Sequence, residues 1–430
     1  MVTDWLKRLF TFKPAPATLP VQPGLYHVMQ ETEGTFTRLH LRVENDGSGM
    51  LVANAMAAAR LSPSGVVIAK GLMEGWPQDR ILQTLKASFS GATEATMRAD
   101  IETVSALIEQ IKTPGDTYPV FNLEDVAISP YGAQLIAPLE ASLPLAEPEI
   151  VAPLLDRLWE IGIPHVTFLA PDGFQTDSLI RAVERAEDLG MIAGVRSRAS
   201  NLNDEGLLAD LRQAGVDHIT FLYAANNPEM HDAICGSGDY AAAQAVLAWL
   251  EENQISAIAE IPLVQTTLDV LHETVDTLIE EGADNFVFVA FATTDPAVAS
   301  TDGVFHSEGM AQVAATVEDI ANMAQARFIW DPPVERDPVT PLAEQVRSGP
   351  RCSGDVAVRV EPNGTIIPPR GPYASAGNVL TDSWESIWGD DVFRTYRERV
   401  TAPTRCEVCP GLAICAADCP RDRNGWAQVA

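Results

Sequence analysis

One unit recurs along the middle of this chain, from about residue 133 to residue 331: a helix, then a glycine or polar stop, then an apolar strand. The strands are nearly continuous apolar runs, which is typical of parallel strands covered by helices. Successive right-handed crossovers build such units into a barrel or a doubly wound sheet. The pattern therefore predicts an α/β fold with a parallel sheet, and it leaves these two architectures open.

The predicted elements alternate along this region. Helices are predicted over residues 148–162, 176–190, 204–215, 240–253, 268–282 and 308–325. Strands are predicted over residues 134–139, 165–170, 191–195, 218–223, 256–264, 285–292 and 327–330.

Ligand sites in both architectures lie at the carboxyl ends of the parallel strands. The polar residues expected there are Glu140, Asp172, Arg196, Arg198, Tyr223, Glu260 and Asp295. They could hold a polar ligand, or they could form salt bridges around a closed barrel mouth, and the second interpretation is favoured. His231 and Cys235 are spaced like two metal ligands on one helical face, but a pair alone favours a structural role. His165 and His218 fall at strand starts, away from this edge.

A smaller unit is predicted over residues 21–112. Two alternating strands flank Glu33-Gly34, a third strand covers residues 50–55, and three amphipathic helices follow at about residues 63–74, 77–89 and 93–111. Ser62 and Pro63 provide an N-cap and a first-turn proline for the first helix. The strands followed by three helices predict a winged-helix-like domain.

Five of the six cysteines lie in the last 80 residues, from residue 351 onward. After Cys352 come the alternating strands of a hairpin around Asn363-Gly364, a predicted helix over residues 383–400 and a C-x2-C-x5-C-x3-C string. The string consists of Cys406, Cys409, Cys415 and Cys419. Closely spaced thiolates select an iron–sulfur cluster or zinc, and spacing alone leaves both open.

The charge restricts the possible partners. The chain has 29 basic and 59 acidic residues, for a net charge of −30, whereas the stretch from Arg351 onward has 9 basic and 10 acidic residues. This acidic balance argues against nucleic acid as a partner, because phosphate binding needs a basic surface. No run of about 18 apolar residues is present. With no export signal at the N-terminus, the expected location is the cytoplasm.

Two segments resemble known protein families. The stretch from Ala59 to Gly65, followed by Gly75, Ile81 and Leu85, resembles the PqqD-like family of peptide-recognition elements. The tail resembles the SPASM domain, which is the auxiliary iron–sulfur domain of radical SAM enzymes. The matching features, in order, are Cys352, Gly364, the Ala376-Gly377-Asn378 stretch, the Trp384–Trp388 helix start and the four-cysteine string. The repeat between these segments resembles the radical SAM partial barrel, and the loop from His231 to Gly236 fits a recurrent loop of that family.

The resemblance implies a radical-SAM-like partial (βα)6 barrel, with an N-terminal winged-helix-like domain of the PqqD type and a C-terminal SPASM-like α+β domain. The division that follows is an N-terminal tail over residues 1–20, the PqqD-like domain over 21–112, a linker over 113–132, the barrel over 133–331, a proline-rich linker over 332–350 and the SPASM-like domain over 351–430.

The chain departs from the family where S-adenosylmethionine is cleaved. Family members carry a C-x3-C-x2-C motif after the first barrel strand, and the corresponding stretch here, from Glu140 to Pro148, has no cysteine. The family's Gly-Gly-Glu-Pro segment is replaced by Ala170-Pro171-Asp172-Gly173. We therefore expect the radical-generating cluster to be absent, which argues against binding of S-adenosylmethionine.

The SPASM cysteine set is also reduced, with Pro369 at one expected cysteine position. Five thiols cannot fully ligate two cubanes, so one [4Fe-4S] cluster is expected, with zinc as the alternative. The predicted metal ligands are Cys352, Cys406, Cys409, Cys415 and Cys419. The resemblance implies a precursor or leader peptide as one partner and a radical SAM or redox protein as another. The expected function is that of a degenerate radical SAM-like protein that serves as a peptide-binding or electron-transfer partner in ribosomal-peptide or cofactor modification. The alternative is an enzyme with altered chemistry at the barrel mouth.

Overall fold

Two β-sheets organise the chain. The computed structural model describes residues 19–32, 35–53, 57–112, 137–138, 140–283, 285–324, 326–348, 357–367, 375–391 and 393. The first sheet is antiparallel, in the order β1-β2-β3-β4. Its strands are β1 (Gly24–Thr32), β2 (Thr35–Val43), β3 (Gly49–Ala53) and β4 (Ala57–Leu61). The strand β4 was not predicted, because its alanine-rich sequence lacks the β-branched and aromatic residues that mark strands.

Three helices cover one face of this sheet, where the sequence predicts them. They are α1 (Pro63–Met73), α2 (Gln78–Ser88) and α3 (Glu94–Lys112). The Ser62 side chain accepts a hydrogen bond from Gly65 N at 3.2 Å, which satisfies a free N–H group in the first turn of α1. Leu39 and Leu41 of β2 point into the core with Ile81 of α2, and all three are fully buried.

The second sheet contains six parallel strands in chain order. They are β5 (Glu140–Pro144), β6 (His165–Leu169), β7 (Ile192–Ser197), β8 (His218–Leu222), β9 (Ser256–Leu263) and β10 (Asn285–Thr293). Each strand pairs in parallel with the next strand along the chain. The path of paired strands stays open among the described residues.

Helices connect these strands. They are α4 (Pro148–Ile161), α5 (Thr176–Leu189), α6 (Ala199–Leu202), α7 (Glu205–Ala214), α8 (Pro228–Cys235), α9 (Asp239–Glu252), α10 (Gln265–Asp269) and α11 (Leu271–Glu280). Left-handed glycines end α4, α5 and α7 at Gly162, Gly190 and Gly215. These are the glycine stops that the sequence places between helix and strand. Buried apolar side chains from these strands and helices form one large core, and a second, smaller cluster includes Leu222, Val264 and Val289.

The first parallel strand is not where the sequence predicts it. The apolar run at residues 134–139 predicts a strand there, but the structure forms β5 at Glu140–Pro144, and the described residues 137–138 lie outside any strand. Ala141 and Leu143 alternate inward and are buried, which gives β5 its register. The expectation that Glu140 lies at the carboxyl end is therefore wrong: it begins the strand and pairs with His165, the first residue of β6.

The proline-rich stretch after β10 is more ordered than the predicted linker. After β10 come α12 (Pro296–Asp302), β11 (Phe305–His306), a short 3-10 turn at Ser307–Gly309, α13 (Met310–Met323), β12 (Arg327–Glu335) and α14 (Leu342–Arg347). Pro332 and Pro333 lie within β12, which among the described strands pairs with β10 alone. A strand paired on one side tolerates prolines, because its outer N–H groups need no partner.

The described part of the tail joins the parallel sheet. It contains β13 (Ala357–Val360), β14 (Ile366–Ile367) and α15 (Trp384–Trp388). The predicted hairpin forms, with Gly364 in the left-handed region at φ 85°, and β13 also pairs in parallel with β5. The predicted helix over residues 383–400 begins after the N-cap Ser383, and its first segment, α15, ends before Gly389. Residues 392 and 394–400 of this prediction lie outside the described residues.

Polar contacts connect the antiparallel sheet to the barrel. Arg42 is 1% exposed and donates hydrogen bonds to Ala137 O at 2.5 Å and Pro138 O at 2.6 Å. His40 Nδ1 lies 2.6 Å from Gly190 O, at the end of α5. Burial lowers the pKa of Arg42, although the neighbouring Glu44 carboxylate opposes this effect. One face of the antiparallel sheet thus packs against α1, α2 and α3, and the other face contacts the region of the parallel sheet.

In the part of the chain that the structure describes, no helix combines the length and apolar character needed to cross a membrane.

Candidate functional site

A buried ion pair lies near the carboxyl ends of β7 and β9. The Arg196 guanidinium donates to both carboxylate oxygens of Glu260, at 2.5 Å and 2.6 Å, and each side chain is 7% exposed. Arg196 is the fifth residue of β7 and Glu260 the fifth of β9, so both point into the space beneath the barrel mouth. This bidentate geometry is the strong form of an arginine–carboxylate contact. Two of the side chains that were expected to hold a ligand, Arg196 and Glu260, therefore bind each other.

The helix α14 covers this pair. Arg196 also donates to Val346 O and Arg347 O, both at 3.2 Å, and these carbonyls lie at the end of the helix. Val346 is 1% exposed and packs among apolar residues from the ends of several strands, including Leu222 and Val264. A guanidinium bound to the last carbonyls of a helix is favoured by the helix dipole.

Hydrogen bonds of Arg336 and Gln345 attach α14 to α12 and to the end of β12. The Arg336 side chain is 5% exposed, and it donates to Asp302 at 2.8 Å and to Gln345 Oε1 at 3.0 Å. The Gln345 amide donates to Glu335 O at 2.8 Å. This helix was not predicted from the sequence, because the prolines around it indicate a linker. The signal for the helix was Leu342 and Val346, apolar residues four apart directly after Pro341.

Asp172 and Arg198 form a second, more exposed pair at the same edge. Arg198 donates to Asp172 at 2.8 Å and to Cys235 O at 2.7 Å, and Asn201 donates to the same carboxylate at 2.9 Å. Burial pushes the pKa of Asp172 upward, but the hydrogen bonds from Asn201 and Arg198 outweigh it, so the pKa lies below its usual value. The carboxylate is therefore held ionised by its partners.

The remaining predicted edge residues have structural contacts. Tyr223 follows β8 and is fully buried; burial raises its pKa, and Gln244 donates to its hydroxyl at 3.0 Å. Asp295 is the N-cap of α12 and accepts a hydrogen bond from Ala297 N at 2.8 Å. Thus the salt-bridged, closed mouth fits the geometry better than an open polar ligand site.

His231, Cys235 and Asp239 come together in the interior, with donor atoms within 4.8 Å of one another. The His231 Nδ1 atom accepts a hydrogen bond from Ala224 N at 3.3 Å, and Nε2 lies 3.1 Å from the Asp239 carboxylate. Both ring nitrogens are thereby used, and burial raises the pKa of the Cys235 thiol. A neutral thiol and a fully bonded imidazole are poor metal ligands. These contacts support the structural role favoured from the sequence.

Asp239 provides the charge at the centre of this group. Its side chain is fully buried, and it accepts a hydrogen bond from Ser200 N at 2.8 Å in addition to the contact with His231. Burial raises the pKa of Asp239, but the hydrogen bonds from His231 and Ser200 outweigh this, and the pKa lies below its usual value. The carboxylate thus connects α9 to α6, the short helix after β7.

The residues at the mouth do not fit the radical-generating cluster implied by the resemblance. Only Leu145, Ala146 and Glu147 lie between the end of β5 and the start of α4, and none of them offers a thiolate. The five predicted tail ligands, Cys352, Cys406, Cys409, Cys415 and Cys419, lie outside the described residues.

No protein family model matches this chain, and no curated protein matches it. Solved structures do match. The structure of Streptococcus suis SuiB bound to S-adenosylmethionine has a TM-score of 0.55 and 12% identity, over 94% of this chain and 100% of that chain. The structure of SuiB bound to the precursor peptide SuiA has a TM-score of 0.55 and 13% identity over the same shares. These likenesses, at 12% and 13% identity, concern the fold alone, and they support the predicted α/β fold with a parallel sheet.

Proposed function

We propose that this chain is a peptide-binding protein built on a radical-SAM-like fold, which does not cleave S-adenosylmethionine. Its PqqD-like segment over residues 21–112 binds a precursor peptide, and its SPASM-like tail holds one [4Fe-4S] cluster. It acts beside a separate radical SAM or redox enzyme that modifies the peptide. The observation that carries the proposal is the closed barrel mouth, in which Arg196 and Glu260 bind each other beneath α14.

The closed mouth argues against chemistry at the strand ends. A substrate there would have to displace α14 and break a buried bidentate ion pair, and each of these changes opposes binding. The loop from Leu145 to Glu147 offers no cysteine for an iron cluster. The alternative, an enzyme with altered chemistry at the mouth, requires Arg196 and Glu260 to face a substrate, whereas both are already engaged with protein groups.

The antiparallel sheet offers an edge for a peptide. Among the described strands β1 pairs only with β2, so one side of its backbone faces away from the sheet. Met29 on this strand is 55% exposed, a large fraction for an apolar side chain. Edge strands bind extended peptides through main-chain hydrogen bonds, while alternate side chains give specificity. The SuiB structure with its precursor peptide supports a peptide as the partner.

A first experiment tests the absence of radical chemistry. The full chain is reconstituted with iron and sulfide without oxygen, then incubated with S-adenosylmethionine and dithionite, and 5′-deoxyadenosine is measured by chromatography. We expect an iron–sulfur absorption spectrum and no 5′-deoxyadenosine above that of a protein-free control. Production of 5′-deoxyadenosine by the purified chain would refute the proposal.

A second experiment tests peptide binding at β1. Fluorescence anisotropy measures the affinity of the full chain for the precursor peptide encoded by a neighbouring gene. Met29→Glu adds a charge at the exposed edge strand, and we expect it to weaken binding at least tenfold. Met323→Glu is the matched control, because Met323 is 66% exposed on α13, and it should bind like the unchanged chain. Equal affinities for all three proteins would exclude β1 as the binding edge.

A further inference from the structure

A groove of about 440 Å³ lies between the three helices that cover the antiparallel sheet. Its apolar lining includes Leu72 near the end of α1, Trp76 after that helix, Ile81 of α2 and Ile101 of α3. Ile81 and Ile101 belong to the buried core beneath, whereas Leu72 and Trp76 are only partly buried. The groove thus offers apolar side chains to a segment that enters it.

Close packing of α1 on α2 shapes the floor of the groove. A Cβ atom on Gly71 would lie 2.8 Å from Ile81 Cγ1 and 3.2 Å from Trp76 Cε3, so both side chains fill the space beside this glycine. The Arg80 guanidinium stacks on the same indole ring, with its central carbon 3.8 Å from the ring centroid. A cation over an indole face is a favourable contact, and it holds the Trp76 ring in place.

Carboxylates lie along the α3 side of the groove. Glu102 and Glu109 are exposed and seven residues apart, so they lie two turns apart on one face of the helix. The small residues Ser105 and Ala106 lie between them and leave the groove open on that side. Glu109 also pairs with Lys112 at 2.8 Å, but its side chain is 70% exposed, and such a pair contributes little. The groove therefore suits a ligand that is both apolar and positively charged.

Residues 4–13 of the chain have this character. Their sequence is Asp-Trp-Leu-Lys-Arg-Leu-Phe-Thr-Phe-Lys, with five large apolar side chains, three basic ones and one acidic one. This local excess of positive charge contrasts with the net charge of −30 on the whole chain. Residues 1–18 lie outside the described residues, so the comparison rests on their sequence. Charge and hydropathy both match what the groove offers.

The groove is within reach of this segment. Leu19 lies beside the start of α1, because Leu19 Cδ2 and Pro63 Cβ are 3.0 Å and 3.6 Å from the position that a Cβ on Gly47 would take. The groove begins nine residues further along α1, which corresponds to about 14 Å. Residues 14–18 span up to about 17 Å when extended. The chain before Leu19 is therefore long enough.

We propose that residues 4–13 dock in the groove between α1, α2 and α3 of the same molecule. Their apolar side chains lie against Leu72 and Trp76, and their basic side chains face Glu102 and Glu109. Docking removes apolar surface of both partners from water, and the opposite charges at the rim set the orientation. The docked segment excludes other apolar ligands from the groove. This inference concerns neither the barrel mouth nor the tail, and it does not depend on the proposed function.

Photochemical crosslinking in the full chain tests the docking. The photoreactive residue p-benzoylphenylalanine replaces Phe10, the protein is irradiated, and crosslinked peptides are identified by mass spectrometry. The matched control carries the same residue at Val339, which is 89% exposed in the turn after β12. We expect crosslinks from position 10 to residues 72–109 and none to that range from position 339. A mixture of isotope-labelled and unlabelled chains distinguishes crosslinks within one molecule from those between two.

Charge reversal tests whether the contact is specific. Glu102→Lys combined with Glu109→Lys should lower the crosslink yield about fivefold, and the further changes Lys7→Glu and Arg8→Glu should restore most of it. Glu308→Lys is the control, because this side chain is 86% exposed beside α13, and it should leave the yield unchanged. Circular dichroism checks that each variant has the helix content of the unchanged chain.

Several results would overturn the proposal. They are crosslinks from position 10 that fall outside residues 72–109, crosslinks that join two different molecules, and a yield that does not change when both glutamates are reversed. Sedimentation with phosphatidylglycerol vesicles examines a lipid surface as the other occupant. Vesicle binding that Lys7→Glu with Arg8→Glu abolishes, without any crosslink to the groove, would assign the segment to a membrane surface instead.

Discussion

The buried Arg196–Glu260 pair gives the sharpest energetic test of the closed mouth. Glu260→Leu removes the carboxylate and leaves the guanidinium beneath α14, where each side chain of the pair is 7% exposed. Two hydrogen bonds of 2.5 Å and 2.6 Å are lost. The contacts of Arg196 with Val346 O and Arg347 O remain, but neutral carbonyls do not balance a full charge.

The size of the effect follows from the unpaired charge. Breaking a buried ion pair by removing one partner costs about 3–5 kcal/mol, whereas replacing both partners with apolar residues is often close to neutral. We therefore expect Glu260→Leu to lower the free energy of unfolding by about 3–5 kcal/mol. The double variant Arg196→Met with Glu260→Leu should recover most of this loss, because it leaves no buried charge.

Urea unfolding followed by fluorescence and circular dichroism measures these changes, and hydrogen exchange reports on α14. The matched control is Asp156→Leu, which breaks the exposed pair with Arg185, whose side chains are 37% to 47% exposed. Such a pair contributes at most about 1 kcal/mol. If Glu260→Leu costs no more than Asp156→Leu, or if the exchange rate of α14 is unchanged, the mouth is not closed by this pair.

Three further predictions concern other parts of the fold. Asp239→Asn, which weakens the contact with His231, should cost about 1.5–3 kcal/mol at neutral pH. The pKa of Asp239 is lowered in the folded state. Its contribution to the free energy of unfolding is therefore present above about pH 4 and is lost as the pH falls further. Urea unfolding at a series of pH values should show this loss in the unchanged chain and not in Asp239→Asn. Gly190→Ala at φ 75° would place its Cβ 2.0 Å from His27, and should lower the melting temperature by loosening the sheet–barrel contact. Ser62→Ala should cost about 1 kcal/mol through loss of the N-cap, measured by thermal unfolding.

The regular helices and strands of the barrel could be predicted because local pattern and tertiary environment agree. The glycine stops at Gly162, Gly190 and Gly215 adopt the left-handed conformation that ends a helix. The register of the first strand could not be predicted, because apolar residues continue on both sides of Glu140. The strand is set instead by its parallel pairing with β6 on one side and β13 on the other.

The sequence predicted that charged residues lie at the carboxyl ends of the strands, but it did not predict which of them form salt bridges with each other. Asp172, Arg196, Arg198 and Glu260 do lie toward the carboxyl ends, and the salt bridges favoured from the sequence form there. Which carboxylate meets which arginine depends on strand spacing around the sheet, which a single sequence does not contain. The contact of His165 with His218, whose Nε2 atoms lie 2.7 Å apart, escaped prediction for the same reason, because 53 residues separate them.

The pairing of β13 with β5 makes the tail and the barrel interdependent. Residues more than 200 positions apart share one sheet, and Val358, Ile366 and Ile387 belong to the same apolar core as the barrel. Removing the tail would therefore uncover a row of backbone donors and acceptors along β5, a surface that recruits other chains into aggregates. Whatever its cysteines bind, this tail also covers the edge of β5. We therefore expect that a chain without the tail would aggregate.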